Sequence, residues 1–153
     1  MRYDVRREAS TEPALLLIGS PMGAAGFVTL AGHFLDRTVV TYDPRAAGRS
    51  QRTDAAEETT PEEHADDLHR LIDALGEGPV DRFATSGGAV NALVLVAQQP
   101  EQVRTLVAHE PPAAQDLPDR DLVAACDDIR EIYERDGYGL AMAQFILAEM
   151  TAR

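Results

Sequence analysis

Val80-Asp81-Arg82-Phe83-Ala84-Thr85-Ser86-Gly87-Gly88-Ala89 places a serine between a strand-like run and an apolar helical pattern, with two glycines behind it. The chemistry open to such a residue is nucleophilic attack on a carbonyl, provided the hydroxyl projects from its surroundings and a base can reach it. A strand-to-helix turn sharp enough to project it strains the serine and requires small residues two before and two after. Here those are Ala84 and Gly88. The same turn aims the Gly87 N–H and the positive end of the helix dipole at the oxyanion that attack creates. Two plainer readings stand beside it: a glycine-rich turn that only packs a helix closely, or a phosphate loop. A phosphate loop calls for a lysine or for spaced glycines. The chain has neither, since all 14 of its basic residues are arginine, which also excludes Schiff-base chemistry on lysine.

The elements that must position this serine are legible as runs. Ala14 to Ile18, Thr38 to Tyr42, Val80 to Thr85 and Val103 to Ala108 read as strands, with a weaker one near Tyr3 to Arg7. Being apolar rather than alternating, they suit a parallel sheet covered on both faces. Helices are expected over Gly26 to Leu35, Thr60 to Leu75 and Gly88 to Gln99, the last apolar nearly all round and buried. Thr60-Pro61-Glu62-Glu63 offers a cap, a proline at the first helical position and a reciprocal Glu, and Gly76 is the stop. Strand and helix in alternation predict right-handed βαβ crossovers. After Pro111-Pro112 come two helical patterns with no strand between them, Leu117 to Arg135 and Gly139 to Ala152, and Pro111 to Pro118 is the candidate linker.

Three further landmarks follow in order around the serine turn. Gly19-Ser20-Pro21-Met22-Gly23 follows the first strong strand. Asp43-Pro44-Arg45-Ala46-Ala47-Gly48-Arg49-Ser50 is similar to a D-x-R-G-x-G-x-S turn, and Pro100 to Val107 to a P-x-x-V-x-x-L-V strand entry. Together with A-x-S-x-G in place of G-x-S-x-G, they resemble the cofactor-independent α/β-hydrolase superfamily over Pro13 to Pro112. The resemblance implies an α/β class: a mostly parallel sheet with flanking helices, a three-layer sandwich incomplete at the C-terminus. Residues 1–112 would be the core and 113–153 a helical, cap-like segment.

It also implies roles. Ser86 would be the nucleophile, and Gly87 one N–H donor. The loop at Pro21 and Met22 would supply the second donor, from Met22, because proline has no N–H. His109 shares the rim of Ser86. Glu110 stands where some members, haloalkane dehalogenases among them, keep their acid; the plainer reading is a polar residue closing a strand. In the family a histidine follows the acid. None of His33, His64, His69 or His109 occupies that position, and the chain is expected to stop before the strand that would carry it. No cofactor and no metal are expected. The implied activity is hydrolysis of a small ester, lactone or amide, with a perhydrolase-type reaction on the same serine undistinguished from it. The alternative is a truncated module that folds and oligomerises without chemistry.

Composition narrows the partners. The net charge of -12 repels nucleic acid and anionic membrane, and aromatics at 5% with no Trp leave few stacking platforms. Cys126 stands alone, so no internal disulfide forms, and neither a membrane span nor a signal peptide is expected. The expectation is a cytoplasmic protein with a small-molecule substrate. Val103 to Ala108 would be an apolar edge strand, which predicts a homodimer or higher oligomer.

Overall fold

The computed structural model describes residues 1–51, 59–76, 78–112 and 120–151. They fall into two units, Met1–Pro112 and Ala113–Arg153.

In the first unit a five-stranded sheet runs β1 (Arg2–Arg6), β3 (Val39–Asp43), β2 (Leu15–Ile18), β4 (Val80–Thr85) and β5 (Val103–His109) in spatial order. β1 is antiparallel to β3 and every other pair is parallel. All four residues of β2 are buried, as its uninterrupted Leu15-Leu16-Leu17-Ile18 requires of a strand covered on both faces. One face carries α2 (Pro61–Leu75) and α3 (Gly87–Gln98), whose Leu68, Leu71, Ala92 and Leu95 pack with Leu16, Ile18, Val40 and Ala84. The other carries α1 (Val28–Ala31) and the 3₁₀ turn before it, with Phe27 packed on Leu15, Leu17 and Val39. This is the three-layer arrangement expected. Among the described residues no helix is long and apolar enough to cross a membrane.

α2 begins and ends where its residue types dictate. Glu63 N–H donates to Thr60 Oγ1 at 3.2 Å, and Thr60 N–H donates to Glu63 Oε2 at 3.0 Å. Gly76 closes the helix at φ 67°.

Two helix expectations need correction. The stretch Gly26 to Leu35 is only a 3₁₀ turn over Ala24–Phe27 and one α turn over Val28–Ala31. Glycines at 26 and 32 weaken any helix there, and Gly26 sits so tightly on the Met22 side chain that a Cβ would overlap it. α3 is apolar all round but not buried all round: the sheet and α2 cover one side, while Leu93 stays 46% exposed.

Arg82 is unexpected in this core. It lies on the α2 and α3 side of β4 with 1% exposure. Nη2 donates to the Gln102 carbonyl at 3.0 Å, while Nε and Nη1 have no partner among the described residues. Burial pulls its pKa down to about 10. Arg82→Met should therefore raise the urea midpoint, relieving a desolvation cost of about 1–3 kcal/mol. A lower midpoint would show that the Gln102 bond outweighs that cost.

The second unit pairs α4 (Arg120–Asp136) with α5 (Tyr138–Thr151) through Gly137 at φ 84°. Ala141 is buried, whereas Leu140, Ile146 and Leu147 are each more than half exposed. The expected start of α4 at Leu117 and most of the proposed linker lie outside the described residues.

Candidate active site

Ser86 joins β4 to α3 at φ 54° and ψ -132°. A residue with a Cβ held there is strained by about 1–3 kcal/mol and persists only where its surroundings over-determine it. They do so here. Its N–H donates to the His109 carbonyl at 3.0 Å, and its own carbonyl accepts the Ala89 N–H at 2.8 Å. Its side chain is exposed and makes no capping bond. The hydroxyl is thus open both to a base and to an electrophile.

Close packing accounts for the small residues around it. Ala84 is fully buried. A Cβ at Gly88 would lie 2.7 Å from the Ile18 carbonyl oxygen and 2.8 Å from Gly19 Cα, and one at Gly87 would lie 2.8 Å from the Ser20 carbonyl oxygen. The helix start is pressed onto the end of β2 and onto the loop that follows it. That explains the glycines, but not an exposed, left-handed serine between them and the strand.

The loop carrying Pro21 and Met22 therefore abuts the turn carrying Ser86 and Gly87. Its Ser20–Pro21 peptide is cis, and the Met22 side chain folds back over Gly19 and Gly26. Its far end is held by Asp43, a residue that the sequence marked only as the start of a turn. Asp43 is 4% exposed. Its Oδ1 accepts the Ala24 N–H at 2.9 Å, and its Oδ2 accepts Arg49 Nε at 2.6 Å and Arg49 N–H at 3.2 Å. Burial opposes ionisation, but the Arg49 side chain and then the Ala24 and Arg49 N–H groups outweigh it and hold the carboxyl below its usual pKa. Arg45, in the same turn, grips Asp67 of α2 through two bonds of 3.0 and 2.9 Å. Ala46, where the family pattern has glycine, takes the left-handed φ of 63° that glycine would.

His109 and Glu110 share the rim with Ser86 but form no relay to it. Both Thr85 Oγ1, at 3.3 Å, and Glu110 Oε2, at 3.8 Å, approach the same ring nitrogen, Nδ1. A relay needs the acid on one nitrogen and the hydroxyl on the other. Glu110 has φ 47° and a side chain 72% exposed. His64 and His69 lie on α2, and His33 follows α1. Ser86 Oγ has no hydrogen bond to any described residue. A groove of about 530 Å³ on the α1 face, bounded by Arg6, Val28, Val39 and Asp43, does not include Ser86 in its lining.

Residues 13–141 match the family model described as alpha/beta hydrolase fold. The uncharacterized hydrolase YraK of Bacillus subtilis (strain 168) is 38% identical over 113 residues, covering 72% of this chain and 41% of that protein. Rv0554 from Mycobacterium tuberculosis superposes with a TM-score of 0.69 at 21% identity, over 88% of this chain and 47% of that one. E-2-(acetamidomethylene)succinate hydrolase does so with a TM-score of 0.60 at 30% identity, over 71% and 40%. The chain thus spans less than half the length of each of these three relatives.

Proposed function

Because the chain belongs to the α/β-hydrolase family, we propose that it acts on a small ester, lactone or amide through Ser86 as nucleophile. The observation that carries this reading is the exposed, uncommitted hydroxyl at φ 54° on the strand-to-helix turn. Ser86 Oγ bonds to the substrate carbonyl carbon as its proton passes to a base. The carbonyl oxygen becomes an oxyanion facing the Gly87 N–H and, from the neighbouring loop, the Met22 N–H. Collapse expels the alcohol or amine with a proton, and water then releases the acid from Ser86. Each oxyanion donor is worth about 10²–10³ in rate. The small-molecule hydrolase among its relatives, 30% identical, supports the substrate class. Glu110 is the acid candidate at the end of β5, and the base is a histidine in the family pattern.

A fluorophosphonate probe tests the reading. Wild-type chain should become labelled at Ser86 and Ser86→Ala should not. Absence of wild-type labelling would count against it.

A second reading, a module that associates without chemistry, is favoured by the lack of any described histidine side chain bonded to Ser86 Oγ and by the place of β5 at the edge of the described sheet. Val107, on that strand, is 52% exposed. An apolar strand at a sheet edge invites a second copy. Sedimentation at micromolar concentration should show a dimer or larger species, and Val107→Lys should shift it towards monomer. A wild-type monomer would remove this reading.

A further inference from the structure

We propose that Asp43 is a positioning residue for the oxyanion-binding loop, pinning the backbone from Gly19 to Ala24 so that the donor in it faces Ser86. This rests on the reading of Ser86 as a nucleophile and adds to it a residue that never touches substrate.

The geometry is that of a hub. Three donors converge on one carboxylate 4% exposed: the Ala24 N–H on Oδ1, and the Arg49 N–H and Nε on Oδ2. Ala24 opens the 3₁₀ turn that ends the loop, so its N–H belongs to the first turn of a helix and has no partner within that helix. Among the described residues Asp43 alone supplies one. Two glycines have been squeezed against the same carboxylate. A Cβ at Gly23 would overlap Oδ1, and one at Gly48 would lie 2.8 Å from Cγ and from Oδ1. Loop and turn therefore close on Asp43 from both sides.

The hub is itself braced. Arg49 extends to Asp4 of β1, and Ser50 Oγ donates to the Asp43 carbonyl at 2.7 Å while accepting the Arg2 N–H at 2.7 Å. At the other end of the loop, the Ser20 carbonyl rests on Gly87. Between these two fixed points only Pro21, Met22 and Gly23 remain to be set. Release of the Ala24 end would free the Met22 N–H to turn away from the place where charge develops. A donor so lost is missed in the transition state and not in ground-state binding.

The test uses the full chain as Asp43→Ala and as Asp43→Asn, which keeps the shape and one acceptor oxygen. Two readouts are taken: amide exchange at Ala24, and the concentration dependence of phosphonylation at Ser86. Asp43→Ala should speed Ala24 exchange. It should also cut the maximal phosphonylation rate by tenfold or more, towards the ~10²–10³ limit for a lost donor, with the half-saturating concentration unchanged. Asp43→Asn should fall between. A change confined to half-saturation, or unaltered Ala24 exchange, would overturn the proposal. If Asp43→Ala does not fold, Asp43→Asn decides by the same criteria. If the wild type is not labelled at all, the nucleophile reading fails separately, and Ala24 exchange alone judges whether Asp43 holds the loop.

Discussion

Ser86→Gly is expected to abolish phosphonylation and, at the same time, to raise the urea midpoint of the chain. Loss of labelling follows from loss of Oγ. The gain in stability follows from the backbone. At φ 54° and ψ -132° the serine Cβ occupies a region natural only to glycine, and its strain of about 1–3 kcal/mol disappears with the Cβ. Glycine returns part of this, about 0.5–1 kcal/mol, because the unfolded chain gains freedom. The net should be a stabilisation of up to about 2.5 kcal/mol. Ser86→Ala separates the two contributions, since it removes the hydroxyl and keeps the Cβ. Both variants should be unlabelled, with the glycine variant the more stable. A glycine variant less stable than the alanine variant by the full glycine cost of about 0.5–1 kcal/mol would mean that the turn stores no strain, and a central part of the case for a nucleophile would go with it. A site that holds a reactive group in a disfavoured conformation gives up stability for function.

Gly88→Ala should have the opposite effect on stability. The added methyl meets the Ile18 carbonyl oxygen at 2.7 Å, Gly19 Cα at 2.8 Å and the Gly19 carbonyl carbon at 2.9 Å. All are backbone atoms at the end of the fully buried β2, so no flexible side chain can yield. Overpacking of this kind costs about 1–3 kcal/mol, and more when backbone must move. Relief requires α3 to lift from the sheet, carrying Gly87 and Ser86 away from the neighbouring loop. Labelling should therefore fall together with stability, even though residue 88 touches no substrate. Gly139→Ala is the control. It lies in α5 with nothing within 4 Å of the added Cβ, so it should be neutral or stabilising by up to about 1 kcal/mol. Equal effects at the two glycines would contradict the close approach of α3 to β2.

Much of this arrangement was written locally in the chain. The run from Leu15 to Ile18, the alternation of strand and helix, the capping box from Thr60 to Glu63 and the stop at Gly76 depend on groups within a few residues of one another. Sterics and helix-end hydrogen bonding act over that range, so their residue types suffice. The small residues flanking Ser86 were legible as a pattern too, although what demands Gly88 is the approach of Ile18 and Gly19. The over-long helix drawn through Gly26 to Leu35 shows where such reasoning stops. Its apolar residues suit a helix, but the chain forms only a 3₁₀ turn over Ala24–Phe27 and one α turn that ends at Gly32.

Only the tertiary structure decided the rest. Nothing near Gly88 in the chain says that its Cα must lie on Ile18, seventy positions earlier, nor that Asp43 must reach back to Ala24. That Arg82 is buried almost unpaired, and that Thr85 and Glu110 approach one ring nitrogen of His109 rather than bracketing the imidazole, are also facts of assembly. The physical reason is common to all of them. These contacts join strand ends and loops that are distant in sequence, and their distances are set by how the sheet and its helices pack together. Residue type decides what each side chain can do, and packing decides what it meets.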